Sequence, residues 1–341
     1  MSSAPASTPV AAGTPLLEVR DFSLSIDTSS GVVHALNGVS LTVNPRERVG
    51  VVGESGSGKS VLAQAVLGLV RNATTSGEIL FEGRNIERAG RAELRALRGQ
   101  EIGYVFQDPL SALDPVRTIG SQVAEPLLIR GTPRRAARER ALDLLESVGI
   151  RNARARMDDY PHEFSGGMRQ RVMIAMALVA EPKLLIADEP TTALDVRVQA
   201  QVLDLMMDIA DERDLAVMLI THDLAILSGF AERVVVMYAG RCMEDSETDE
   251  LFYRPTNPYT VGLLDSLPRV DQSRDEALRT IGGQPPSPLH LPAGCAFNPR
   301  CRFAEDVCRE VVPPLEVPRD GNHPTACHRA ELLVGARGEA P

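Results

Sequence analysis

Apolar residues along this chain follow two periods. LLEVRDFSLSID and VHALNGVSLTV alternate apolar and polar positions, which predicts half-buried strands. ERVGVVG is instead a short continuous apolar run ending in glycine, and the helical pattern VLAQAVLGLV follows it. IGYVF, KLLIADE, LAVMLITHD and ERVVVMYAG repeat the continuous form. All are rich in Val, Ile and Leu, as strands buried on both faces of a parallel sheet require. Helical stretches such as VQAQVLDLMMDIADE lie between them, and the alternation predicts an α/β domain.

Between Gln107 and Leu184 the pattern changes. TPRRAARERALDLLESVG and MRQRVMIAMALVAE read as helices with no strong strand between them, so a helical subdomain is expected at about residues 108–182. After about residue 245 the chain turns Pro-rich, in RPTNPYT, GGQPPSPLHLPAG and VVPPLEVP, which predicts a loop-rich extension over 246–341. The first 15 residues are small, polar and Pro/Ala-rich. They lack the charged start and apolar run of a signal peptide, and are expected to be a disordered leader on a cytoplasmic chain. No internal repeat or heptad run is present.

Composition narrows the class. The 341 residues are 43% hydrophobic and 24% charged, as in a soluble globular protein. The net charge of −10 disfavours a phosphate backbone as partner. No apolar run reaches the roughly 18 residues needed to span a bilayer. In a cytosolic chain, five cysteines point to thiols or metal ligands rather than disulfides.

GESGSGKS, made of Gly53, Glu54, Ser55, Gly56, Ser57, Gly58, Lys59 and Ser60, satisfies G-x-x-x-x-G-K-[ST] in full and lies between a buried strand and a helix. Its glycines let backbone N–H groups turn inward around phosphates, and the helix start adds partial positive charge. Lys59 is placed to reach β- and γ-phosphates, and the Ser60 hydroxyl to ligate Mg²⁺. A ligand-free Gly/Ser turn is the bland alternative; the flanking strand and helix argue against it. KLLIADE carries two carboxylates at a strand end, where ligands bind in open α/β sheets. Asp188 would hold Mg²⁺ and Glu189 would polarise the attacking water, unless the pair merely caps a helix. FSGGMRQR opens another helix, so Ser165, Gly166 and Gly167 offer a second anion site. Two chains explain that site best, each nucleotide lying between the phosphate loop of one and this motif of the other. An ordinary N-cap is the alternative.

In this order the motifs resemble those of an ATP-binding-cassette ATPase over residues 16 to about 245. GESGSGKS resembles the Walker A loop and LLIADE the Walker B strand with its catalytic glutamate. FSGGM resembles the signature motif, with Phe and Met where Leu and Gln are commoner. The resemblance implies that Gln107 in VFQDP senses Mg²⁺ and the water, that Asp195 in TALD lies at a chain–chain contact, and that His222 in ITHD touches the γ-phosphate. It also implies a P-loop NTPase core with an antiparallel β subdomain and an inserted helical subdomain. The family's adenine-stacking aromatic is missing; DTSSGVVHALN offers only His34.

RPTNPYTVGLLDSLP and GGQPPSPLHLPAGCAFNPRC resemble the C-terminal extension of the oligopeptide/dipeptide importer branch, and SGGMRQRVMIAMAL the first of its two ATPase subunits. The implied partners are a paralogous second ATPase and two membrane permeases at the cytoplasmic face of the membrane, with a peptide-binding protein acting indirectly. The same chemistry could drive import of nickel or another small solute. A nucleic-acid-clamping ATPase of this class would usually carry heptad arms or two cassettes, and this chain has neither. Cys295, Cys301, Cys308 and Cys327 are spaced C-x5-C-x6-C-x18-C, wider than the paired C-x2-C of a zinc ribbon. Four thiolates can hold a [4Fe–4S] cluster, which the branch resemblance also implies, while Zn²⁺ and free thiols stay open. His323 and His328 are nearby alternative ligands but are expected at the surface, and Cys242 in the core.

Overall fold

The two apolar periods separate into two sheets. In this computed structural model, residues 13–192, 194–268, 280–319 and 321–334 are described, so most of the expected leader lies outside them, as does Ala193 of TALD. The strands are β1 (Leu17–Thr28), β2 (Gly31–Val43), β3 (Arg48–Val52), β4 (Ala73–Phe81), β5 (Arg84–Asn85), β6 (Ile102–Val105), β7 (Leu184–Asp188), β8 (Ala216–Thr221), β9 (Arg233–Tyr238) and β10 (Arg241–Glu247). The alternating stretches form β1 and β2 of an antiparallel sheet of order β2-β1-β4-β5, whose β4 and β5 the apolar pattern did not predict. The continuous ones form β3, β6, β7, β8 and β9 of a sheet of order β10-β9-β3-β8-β7-β6, which is parallel except for the unpredicted edge strand β10.

The helices are α1 (Lys59–Val66), α2 (Arg91–Ala96), α3 (Pro109–Ala112), α4 (Ile119–Ile129), α5 (Arg134–Ser147), α6 (Ala153–Arg156), α7 (Gly166–Leu178), α8 (Val196–Glu212), α9 (Leu224–Phe230), α10 (Thr248–Tyr253), α11 (Pro258–Asp265) and α12 (Asp306–Glu310). Buried strands feed two cores at once because successive side chains point to opposite faces. Ile186, Met218 and Ile220 pack with Leu17, Phe22, Phe81 and Leu62, joining the parallel sheet to the antiparallel one and to α1. Their neighbours Leu185, Ala187, Val217 and Leu219 pack with Ile119, Leu145, Val172 and Met206 of α4, α5, α7 and α8.

Helices α3 to α7 fill the chain between β6 and β7, the interval read as a helical insertion. The boundary set at residue 245 falls inside β10, which runs to Glu247. The extension then lies along β10: Ala326 N–H donates to the Met243 carbonyl at 2.8 Å and Asp245 N–H to the Pro324 carbonyl at 3.0 Å. Among the described residues no helix is long and apolar enough to cross a membrane.

Candidate functional site

The phosphate loop leaves β3 and enters α1. A Cβ on Gly53 would collide with the carbonyl oxygen of Met237 in β9, so only glycine lets the loop run so close to the sheet. Lys59 is 4% exposed, and its Nζ donates to the carbonyls of Gly53 at 2.8 Å and Glu54 at 3.0 Å. Burial lowers its pKa, against the opposing pull of Glu189, Asp188 and Glu54.

At the end of β7, Asp188 accepts from the Ser60 hydroxyl at 3.0 Å and from the Tyr104 hydroxyl at 2.9 Å. Burial raises the Asp188 pKa, and these two donors partly offset it. Asp188 therefore caps no helix: a buried carboxylate converging with a serine hydroxyl is a hard-oxygen pair suited to Mg²⁺.

Glu189 is held differently. One of its oxygens, Oε2, meets Thr192 Oγ1 at 2.9 Å, Gln107 Nε2 at 3.2 Å and His222 Nδ1 at 3.2 Å. Its φ is +47°, a left-handed conformation that costs a non-glycine residue about 1 kcal/mol or more. The Glu189 N–H is bonded to the Ile220 carbonyl of β8 at 2.9 Å, which fixes this turn. Two adjacent carboxylates thus face one loop in unlike settings, Asp188 buried and Glu189 half-buried. Gln107 and His222 are exposed.

Ser165, Gly166, Gly167 and Asp195 stand apart from this cluster. Ser165 is the N-cap of α7, its hydroxyl accepting from Met168 N–H at 3.4 Å; Asp195 is the N-cap of α8, accepting from Val198 N–H at 3.0 Å. A Cβ on Gly167 would lie 2.6 Å from Val198 Cγ1, so this glycine sets how closely α7 approaches α8. Among the described residues no hydrogen bond joins Ser165, Gly166 or Gly167 to the phosphate-loop cluster. Ser165, Gly166 and Asp195 are exposed. His34, in β2, shares its Nδ1 with the Ser25 hydroxyl at 3.0 Å.

In the extension, Cys295, Cys301, Cys308 and Cys327 line one cavity of about 20 Å³ together with Phe297, Phe303 and His328. Burial pushes the Cys295 and Cys301 thiols up, and that of Cys327 to about 12. Among the described residues no three His, Cys, Asp or Glu side chains stand in metal-holding geometry. The donor set is that of a thiolate site, but its spacing is not. Cys242 is 5% exposed, as expected.

His323 corrects the sequence reading. Instead of lying at the surface it is 5% exposed, and its Nε2 sits 2.7 Å from Oε1 of the fully buried Glu244. The strip beside β10 carries it inward, and a lone histidine in a Pro-rich segment gave no sign of that. Motif reading also missed Tyr104, Thr192, Tyr259 and Arg300. Tyr104 was visible only as an apolar residue in IGYVF; Arg300, in NPRC, was overshadowed by its cysteine neighbour.

Residues 36–192 match the family described as ABC transporter, and residues 243–308 the one described as oligopeptide/dipeptide transporter, C-terminal region. The oligopeptide transport ATP-binding protein OppD of Haemophilus influenzae is 48% identical over 88% of this chain and 93% of its own length. OppD of Salmonella typhimurium is 48% identical over 88% of this chain and 90% of its own. Among solved structures, the dimeric post-hydrolysis state of the ATP-binding cassette MJ0796 bound to ADP and Pi gives a TM-score of 0.61 at 28% identity, covering 68% of this chain and 98% of that one. The structure of cbiO1 from Clostridium perfringens, part of the ABC transporter complex cbiONQ, gives 0.61 at 32% identity, covering 70% and 90%.

Proposed function

This chain belongs to the ABC transporter family, in its oligopeptide/dipeptide branch, and on that premise we propose that it hydrolyses ATP to power import of di- and oligopeptides through a membrane permease. One observation carries the catalytic half: Asp188 and Glu189 sit side by side facing Lys59, with separate sets of partners. The names of the relatives favour peptide over nickel or another small solute.

Lys59, which now bonds the loop's own carbonyls, offers its ammonium to β- and γ-phosphate oxygens, and the loop N–H groups surround them. Ser60 and Asp188, with Gln107 nearby, would hold Mg²⁺, which supplies positive charge to the phosphate oxygens. Glu189 orients water for in-line attack. Gln107 and His222 meet its carboxylate, so both are placed to report loss of the γ-phosphate to the rest of the chain. Glu189→Gln should retain ATP binding and nearly abolish phosphate release; wild-type turnover in that variant would refute the assignment.

Ser165, Gly166, Gly167 and Asp195 act in trans, on nucleotide held by the loop of a paralogous ATPase. Support comes from the exposure of Ser165, Gly166 and Asp195, from the absence, among the described residues, of any hydrogen bond between Ser165, Gly166 or Gly167 and this chain's own loop, and from the dimer formed by the related cassette. Ser165→Arg is expected to abolish turnover of the assembled transporter while leaving ATP binding by the isolated chain intact. Phe106, Leu110 and Val116, in the stretch around and after Gln107, expose large apolar side chains. They fit the docking of permease helices, which would hold the chain peripherally at the cytoplasmic face of the membrane.

The four cysteines are proposed to hold a [4Fe–4S] cluster, with Zn²⁺ as the alternative. Their shared cavity supports this, although the thiols would have to rearrange to bind either group. Iron and acid-labile sulfide in anaerobically purified chain test it, and zinc without sulfide would select the alternative.

A further inference from the structure

The extension reaches the phosphate loop directly. Arg300 lies one residue before Cys301, and its side chain is only 4% exposed. Its guanidinium grips the Glu54 carboxylate with both forks, Nη1 to Oε2 at 2.6 Å and Nη2 to Oε1 at 2.9 Å. The remaining donors reach the Tyr238 hydroxyl at 3.2 Å and the carbonyls of Ile281 at 3.2 Å and Gly282 at 2.8 Å. The Tyr259 hydroxyl accepts from the Glu54 backbone N–H at 2.9 Å. The Glu54 carbonyl accepts from Lys59 Nζ and from Ser57 N–H. The second residue of the loop is therefore held on one side by its own lysine and on the other by the extension.

We propose that Arg300 and Tyr259 are positioning residues for ATP binding: they fix the phosphate loop through Glu54, and Arg300 cancels a carboxylate charge beside the polyphosphate site. An unpaired Glu54 would repel the phosphates and free the loop's first turn. A bidentate charged pair whose arginine is buried and whose Glu54 carboxylate is 25% exposed holds geometry well. This role rests on the phosphate-loop reading above and makes the extension part of the nucleotide site.

The test measures binding of a fluorescent ATP analogue to the full chain, and turnover in the assembled transporter. Arg300→Gln should weaken nucleotide binding about 10-fold. KM for ATP should rise in parallel, with kcat changed less than about 3-fold. Adding Glu54→Gln to that variant should restore much of the affinity, because the uncompensated charge is gone. A purely structural Arg300 would show no such rescue. Wild-type affinity in Arg300→Gln, or no recovery in the double variant, would overturn the proposal. If Arg300→Gln does not fold, Arg300→Lys carries the test, since it keeps the charge and loses the fork. A loss of about 3-fold supports the proposal, and unchanged affinity overturns it. Lys59→Ala separates the two readings. If it binds ATP like wild type, the phosphate-loop assignment fails. If it fails to bind while Arg300→Gln binds normally, only this inference does.

Discussion

The parallel sheet and the C-terminal extension are built by opposite means. The sheet is nearly all apolar contact: β7 and β8 are buried along their whole length, between two clusters of Val, Ile, Leu and Met. The extension has few apolar anchors and leans on polar ones. Phe297 inserts against Tyr238 and Tyr259, with ring centroids 5.4 and 5.3 Å away. Glu244 of β10, wholly buried, gathers Thr256 and His323 of the extension on a single oxygen, and Asn257 donates to the carbonyls of Met243 in β10 and of Ala326. Apolar burial is non-directional and tolerates exchange, whereas a buried polar network holds one arrangement and fails when a partner is lost. The sheet therefore supplies stability, and the extension supplies a defined position.

Breaking the chemistry without touching either region's packing should have the largest effect. Glu189→Gln is expected to slow ATP hydrolysis by roughly 10² to 10⁴, measured as phosphate release, with the melting temperature unchanged. Next comes the extension's apolar anchor. Phe297→Ala should cost about 3 kcal/mol or more, appearing as early proteolytic removal of the extension while the sheet still melts cooperatively. If the whole chain unfolded in one step with the extension, the two regions would be energetically one.

Glu244→Gln keeps the volume but takes the charged acceptor from Thr256 and His323. It should cost about 2 kcal/mol, read as faster amide exchange in the strip beside β10 and little change in β7 or β8. The smallest effect is expected at Arg135–Glu139, an exposed i,i+4 pair on α5 at 3.0 Å. Arg135→Ala should change stability by less than about 0.5 kcal/mol in denaturant melts. A larger loss there would mean that surface charge matters more to this molecule than its burial suggests.

Legibility in the sequence followed the same division. GESGSGKS and KLLIADE could be read because each packs its candidate groups into a few consecutive residues between strand and helix signals, whereas His222 in ITHD was read only from the order of motifs the chain shares with its family. The structure brings Ser60 to Asp188, and Gln107 and His222 to Glu189, with both carboxylates acting on Lys59. Tyr104 and Thr192 escaped it: a tyrosine in an apolar run and a threonine in a turn carry no local mark of the carboxylate they will meet. Arg300 and His323 escaped more completely. Their partners, Glu54 and Glu244, lie 246 and 79 residues away in the chain.

By itself the sequence determined the alternation of buried strands and helices and the Gly-rich loop that opens α1. Hydrophobic period and glycine placement act over a few residues, and local sterics translate them directly into strand, loop and helix. Only the tertiary structure decided that a Pro-rich extension should lie along β10 and grip the phosphate loop. That contact depends on how distant segments share burial, and a buried charge finds its partner only after the fold has excluded water.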